Sequence, residues 1–186
     1  FSSQGRRRVE LYEVKAFDQP LGAAAKARLG SIGPRHGTRM GAALRHSLTK
    51  FASVQAHSRH LILLSDGFPQ DQEYGEDRRT HTYGMKDTAV ALRELSRAGT
   101  LPFCITVDRA GHDYLRLMCD PDQYMVIDHI EQLPRELPKI AGIELYGVSI
   151  PAKVVGGDFY DFLPVDGGFD GRVALVVGDV SGKSIP

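Results

Sequence analysis

The chain has 186 residues, of which 42% are hydrophobic and 25% are charged, and this composition is typical of a globular protein with one or two domains. Its 23 Lys and Arg residues balance its 23 Asp and Glu residues, so the formal net charge is zero. A neutral chain has no overall attraction for nucleic acid or for an anionic membrane surface, and no apolar run reaches membrane-spanning length. We therefore expect protein partners, no nucleic acid and no membrane span.

Two cysteines, Cys104 and Cys119, lie in apolar surroundings without a second Cys or a His at metal-binding spacing. This pattern predicts reduced core thiols and hence a cytoplasmic setting. The chain begins at Phe1 rather than Met and stops at Pro186, shortly after a motif. We accordingly expect a fragment of a longer protein.

The first 137 residues alternate predicted strands with predicted helices. Polar and apolar residues alternate at 8–17, which predicts a half-buried strand, and a continuous apolar run at 60–65 predicts a central one. The other predicted strands are 101–107 and 123–127, and the predicted helices are 21–29, 39–54, 85–98, 111–118 and 130–137. This alternation favours an α/β fold with a doubly wound, mostly parallel sheet.

Asp66 follows the predicted central strand directly, at the end of parallel strands where ligands bind. The same residue could instead shape the turn before Gly67. The acidic loop that follows, including Asp71 and Glu73, is interleaved with arginines and is predicted to be a solvated lid without a ligand role.

The pattern changes after Pro138 and Gly142. Segments 143–150 and 172–177 have strand character with no helix between them, which predicts neighbours in an antiparallel sheet. We therefore divide the chain into a first domain, residues 1–140, and a second, residues 141–186.

Three segments of the first domain, which occur in the same order in a known family, carry a family resemblance. They are Gly37-Thr38-Arg39-Met40-Gly41, Leu64-Ser65-Asp66-Gly67-Phe68-Pro69 and Asp87-Thr88-Ala89. The domain resembles von Willebrand factor A-type domains, specifically those of nitric-oxide-reductase activation (NorD-like) proteins. The resemblance implies an adhesion site in which Thr38 and Asp66 bind Mg²⁺, since hydroxyl and carboxylate oxygens suit this hard cation. It also implies that the family's first strand, with its ligand loop, is missing. Thr38 could alternatively be a helix N-cap.

The second domain contains a pair of glycine-rich acidic motifs. They are Gly156-Gly157-Asp158-Phe159-Tyr160-Asp161 and Gly178-Asp179-Val180-Ser181-Gly182-Lys183. Together they resemble the opening strands of a 2C-type (PPM) protein phosphatase of the SpoIIE/RsbU-like branch, an α+β sandwich. The resemblance implies two Mn²⁺ or Mg²⁺ ions, with Asp179 as bridging ligand, the Val180 carbonyl on one metal and Asp158 as a second metal-binding and catalytic carboxylate. Each Asp could instead only shape a turn.

Two functions remain open at this point. The main hypothesis is a fragment of a metal-dependent serine/threonine protein phosphatase coupled to an A-type binding domain, with phosphoprotein substrates and no activity in this chain alone. The alternative is an A-type binding module that acts with an AAA+ ATPase in metalloenzyme activation. A truncated or chimeric chain without activity is a third possibility.

Overall fold

The computed structural model describes residues 1–75, 82–129, 132 and 133, together with the backbone of residues 172–179. The helices of these ranges are α1 (Ala23–Gly30), α2 (Met40–Ala52), α3 (Thr82–Arg97) and α4 (Gly111–Met118). The strands are β1 (Ser2–Ser3), β2 (Val9–Glu10), β3 (Ser58–Ser65), β4 (Thr100–Thr106), β5 (Tyr124–Val126) and β6 (Arg172–Asp179).

A four-stranded parallel sheet with the order β5-β4-β3-β6 forms the centre of the described structure. Strand β3 is internal, and its residues from Leu61 to Leu64 are all buried, as expected for a strand covered on both faces. Ser65 pairs with Thr106 of β4 and with Asp179 of β6, so three strands end at the same level. The predicted α/β class and parallel sheet are confirmed.

Helices α2, α3 and α4 pack on one face of this sheet and enclose the main core with β3 and β4. Its most completely buried side chains include Met40, Leu44, Leu61, Leu63, Leu95, Cys104 and Tyr114. The opposite face carries a second apolar cluster, formed by Ile62, Leu64, Ile105 and Ile127 with Leu133 packed against it. Because most of the helix predicted at 130–137 lies outside the described residues, the double winding stays a prediction.

The half-buried strand predicted at residues 8–17 is wrong for most of its length. Only Val9–Glu10 pairs, antiparallel to Ser2–Ser3. The alternating apolar residues pack individually instead: Val14 is buried, and the Phe17 ring lies 5.7 Å from that of Phe51. Alternation predicts burial of every second side chain, but a strand also needs a neighbouring backbone, and here residues 11–17 have none among the described strands.

The strand predicted at 172–177 is present as Arg172–Asp179, but its neighbour differs from the prediction. We predicted an antiparallel partner at 143–150, and those residues lie outside the described ranges. β6 instead pairs in parallel with β3, from Ser58 opposite Arg172 to Ser65 opposite Asp179. A parallel pairing requires a crossover of a dozen residues or more, and the intervening chain exceeds this length. The division into domains at residue 140 stays a prediction.

Both cysteines are free and buried, as predicted. Burial and the neighbouring Cys119 thiol raise the pKa of Cys104 well above its usual value, with the hydrogen bond between the two thiols as the main cause. None of the helices in the described ranges is both long and apolar enough to cross a membrane.

Replacement of one core leucine should test the importance of β3. Leu61 is 0% exposed, so Leu61→Ala should lower the free energy of unfolding by about 2–5 kcal/mol. Leu101 is 58% exposed on β4, and Leu101→Ala should change the free energy of unfolding by less than about 0.5 kcal/mol. Urea denaturation measures both values. Equal losses for the two variants would contradict the described packing.

Candidate functional site

Asp66 lies at the carboxyl end of β3, one residue beyond the paired Ser65. The turn there is held by Ser65, whose Oγ donates to the carbonyl of Gly67 at 3.0 Å and accepts from the Gly67 N–H at 3.3 Å. These two bonds of Ser65 stabilise the turn on which Asp66 lies. Asp66 is half-buried.

A second carboxylate follows the neighbouring strand in the same way. Asp108 lies two residues beyond the end of β4, where its N–H donates to Thr106 Oγ1 at 3.1 Å and its Oδ1 accepts from the Ala110 N–H at 3.0 Å. The buried hydroxyl of Tyr114 lies 3.0 Å from Thr106 Oγ1. Burial, reinforced by the charges of Asp108 and Asp66, raises the pKa of Tyr114 to about 12. The charges of both carboxylates therefore act on the same group, the Tyr114 hydroxyl at this edge of the sheet.

The loop that contains Thr38 is attached to the loop after β3. The Thr38 N–H donates to the Gln70 carbonyl, and a Cβ on Gly37 would lie only 2.9 Å from that same oxygen. Glycine is therefore needed at this close approach. The N-terminal segment supports the arrangement from the other side, since Ser3 and Gly37 exchange two backbone hydrogen bonds of 2.7 and 2.9 Å. The fold thus joins the segments of Thr38 and Asp66.

A buried ion pair connects the same two loops. Arg39 Nη2 donates to Asp71 Oδ1 at 2.8 Å, and the two side chains are only 10% and 0% exposed. The carboxylate also accepts hydrogen bonds from Ser3 Oγ, from the Gly5 N–H at 3.2 Å and from the Glu73 N–H at 2.9 Å. The prediction that Asp71 belongs to a solvated lid is wrong, because this residue has four donors and its charge is compensated.

The pKa of Asp71 is set by opposing effects. Burial acts to raise it, but the hydrogen bonds from Ser3, Arg39 and the Glu73 N–H, with the charge of Arg39, outweigh burial and hold the pKa below its usual value. The ionised form is therefore the stable one in the folded protein, and it contributes stability near neutral pH.

The ion pair extends to helices α2 and α3 through Tyr74. The Arg39 guanidinium lies 4.3 Å from the centre of the Tyr74 ring, and the Tyr74 hydroxyl donates to Asp87 Oδ2 at 3.0 Å. Arg45 then bridges Asp87 and Glu94, with both bonds at 2.7 Å. Burial and the Asp87 carboxylate raise the pKa of Tyr74, which therefore stays a neutral hydrogen-bond donor.

The predicted site residues have different outcomes. Thr38 and Asp66 lie on loops that the structure joins, and Arg39 rather than Thr38 occupies the N-cap position of α2. Asp158 and Val180 lie outside the described residues. Only the backbone of Asp179 is described, beside Ser65. Within the described ranges, no group of three His, Cys, Asp or Glu residues is arranged to hold a metal ion.

Sequence reasoning assigned no role to Asp108 or Arg39, and it placed Asp71 in a solvated loop. The first could have been found, because Asp108 follows a parallel strand as Asp66 does. No sequence signal identifies the buried pair, since its two members are 32 residues apart.

Curated proteins similar to this chain are named NorD in several cases. The chain is 39% identical to Protein NorD of Stutzerimonas stutzeri over 132 residues, which are 71% of this chain and 21% of the relative. It is 34% identical to Protein NorD of Brucella melitensis over 140 residues, which are 75% of this chain and 22% of that relative. An uncharacterised protein of Pseudomonas aeruginosa is 36% identical over 137 residues.

The chain thus spans about a fifth of the length of the curated relatives it matches. No protein-family model matches the chain, and no solved structure does. The NorD-like part of the sequence resemblance is confirmed, whereas the comparisons lend no support to a phosphatase fusion.

Removal of the Asp71 charge should destabilise the protein in a pH-dependent way. Asp71→Asn leaves Arg39 buried without its counter-ion, so at pH 7 the free energy of unfolding should fall by about 3–5 kcal/mol. The depressed pKa means that the wild-type advantage is complete above the unfolded value of 3.8 and is lost as pH falls through the folded value. Urea denaturation at several pH values measures this difference.

Asp113→Asn provides the control for this experiment, because Asp113 pairs with Arg116 at the surface with a side chain 76% exposed. We expect a change below about 0.5 kcal/mol. An Asp71→Asn protein as stable as wild type at pH 7, or a stability difference that grows as pH falls, would contradict the assignment.

Proposed function

We propose that this chain is part of a NorD-like protein and serves as a metal-dependent protein-binding module, acting with an AAA+ ATPase in the activation of a nitric-oxide-reductase-like metalloenzyme. The similarity to proteins named NorD over about three quarters of the chain supports the family part of this proposal. The A-type character and the partners come from the sequence resemblance, and the cytoplasmic setting comes from the two reduced cysteines. Since the match covers only about a fifth of each relative, their whole activity is transferred here only as a proposal.

The observation that carries the proposal is the junction of two loops at the carboxyl edge of a parallel sheet. Asp66 follows β3 there, and the Thr38 segment is held against the same loop by Gln70. Such edges are where open α/β sheets bind ligands. Thr38 and Asp66 offer a hydroxyl and a carboxylate, oxygen donors of the type that Mg²⁺ prefers.

In this proposal, Thr38 and Asp66 would hold Mg²⁺, and the bound cation would supply a position for a carboxylate of the partner protein. Asp108 adds a negative charge at the same edge and favours cation binding. Ser65 fixes the turn on which Asp66 is presented, and the Arg39–Asp71 pair fixes the spacing of the two loops. The protein's own residues thus orient the oxygen donors and perform no bond-breaking chemistry.

The phosphatase hypothesis receives no comparable support. Its predicted residues Asp158 and Val180 lie outside the described ranges, and Asp179 is described only as backbone in a strand parallel to β3. The two Mn²⁺ or Mg²⁺ ions assigned to them stay a prediction. The NorD-like alternative is therefore the function that we propose.

Loss of the Asp66 carboxylate should abolish the response to Mg²⁺ without unfolding the protein. At about ten times its dissociation constant, Mg²⁺ stabilises by about 1.4 kcal/mol, which corresponds to a rise in thermal midpoint of roughly 3–6 °C. We expect Asp66→Ala and Thr38→Val to lose this rise and the Mg²⁺-dependent pull-down of a purified AAA+ ATPase. Differential scanning calorimetry measures the midpoints.

Asp113→Ala, on the exposed side of α4, is the control and should keep the full response to Mg²⁺. If Asp66 only shaped its turn, Asp66→Ala would lower the midpoint without Mg²⁺ and leave the rise intact. That result, or a complex that forms equally well in a chelator, would overturn the metal-site proposal.

A further inference from the structure

A groove of about 350 Å³ lies between the C-terminal halves of α3 and α4. It is lined by Asp120 and Gln123, which precede β5, and is therefore at the amino edge of the parallel sheet. The candidate metal site lies at the carboxyl edge. The groove is consequently a separate surface that the proposed function does not use.

The floor of the groove is apolar and its rim presents one exposed leucine. Leu92, Met118 and Cys119 are 3%, 6% and 9% exposed, so they form a packed base. Leu117 is 63% exposed, the largest value among the exposed large hydrophobic side chains of the described residues. Its side chain offers apolar area that a bound partner would remove from water.

Both walls of the groove carry arginines. Arg93 and Arg97 come from α3 and Arg116 from α4, against one aspartate, Asp120, which leaves an excess of two positive charges. Arg116 is partly neutralised by Asp113 at 3.5 Å. No residue of the described ranges forms an ion pair with Arg93 or Arg97. Two guanidinium groups therefore remain available beside an apolar floor.

We propose that this groove binds an acidic peptide segment of a partner protein, with one apolar side chain of that segment packed against Leu117. Guanidinium groups form bidentate hydrogen bonds with carboxylates, so the arginines of the walls suit the acidic side chains of such a segment. An isolated phosphate would use the arginines but leave the leucine exposed. Nucleic acid would require a longer basic track than three arginines provide.

Fluorescence anisotropy tests this proposal with the full chain and a labelled synthetic octapeptide of aspartate and glutamate around one central leucine. We expect saturable binding that weakens as salt is added, because exposed charges are screened. Arg93→Glu should weaken binding about tenfold, since it replaces an attraction with a repulsion. Leu117→Ser should weaken it roughly fivefold, and a peptide with serine in place of leucine should lose a similar factor.

Two matched controls separate the groove from general charge and apolar effects. Lys86→Glu makes the same charge change on the same helix, about two turns before Arg93. Leu101→Ser removes another exposed leucine, which is 58% exposed on β4. Both variants should bind the peptide within about twofold of wild type.

Three results would overturn the proposal. The first is an equal loss for Lys86→Glu and Arg93→Glu, which would indicate attraction by net charge alone. The second is full competition by inorganic phosphate together with equal affinity for the serine peptide, which would indicate a small-anion site. The third is the absence of peptide binding. Because each variant changes an exposed residue, circular dichroism should show that all remain folded, and none affects the Mg²⁺ response proposed for Asp66.

Discussion

The buried ion pair between Arg39 and Asp71 is the contact on which the candidate site depends. Arg39 is adjacent to Thr38, and Asp71 lies five residues beyond Asp66, so this charge pair at 2.8 Å joins the two loops by their side chains. The backbone bond from the Thr38 N–H to the Gln70 carbonyl joins the same two loops. Removing two charges from water is costly, and hydrogen bonds to their remaining donors and acceptors offset part of that cost. Ser3, Gly5 and Glu73 donate to the carboxylate, whereas the buried Arg39 Nε has no hydrogen-bond partner among the described residues. The bonds from Ser3 and Gly5 also join the N-terminal segment to these loops.

The parallel sheet provides the second constraint, since it places the candidate metal site and the groove at opposite edges. Its carboxyl edge gathers Asp66 and Asp108 near the Tyr114 hydroxyl, and its amino edge carries the arginine-lined groove. Under the two proposals made above, a cation-dependent partner would bind at one edge and an acidic segment at the other, without competition between them.

The sequence predicted most of the sheet and helices but not the contacts between loops. Apolar runs such as 60–65 and amphipathic helices such as Gly111–Met118 are local patterns, and the structure places them where expected. The position of Asp66 after a buried strand was predictable for the same reason. The burial of Asp71 was not, because its environment is created by residues 32 and 68 positions away. The pairing of β6 with β3 was missed because strand character does not specify a partner.

The central claim is tested most directly by measuring the Mg²⁺ affinity of variants that lack the Arg39–Asp71 ion pair. Isothermal titration of wild type, Arg39→Lys and Asp71→Asn with Mg²⁺, at a temperature where circular dichroism shows each to be folded, compares proteins that all retain Thr38 and Asp66. Lysine keeps the charge but cannot reproduce the guanidinium geometry. If the ion pair positions the oxygen donors of Thr38 and Asp66, both variants should bind Mg²⁺ at least about tenfold more weakly. Losses of this size follow when a residue that orients a metal ligand is removed. Wild-type affinity in a folded Asp71→Asn protein would contradict the account.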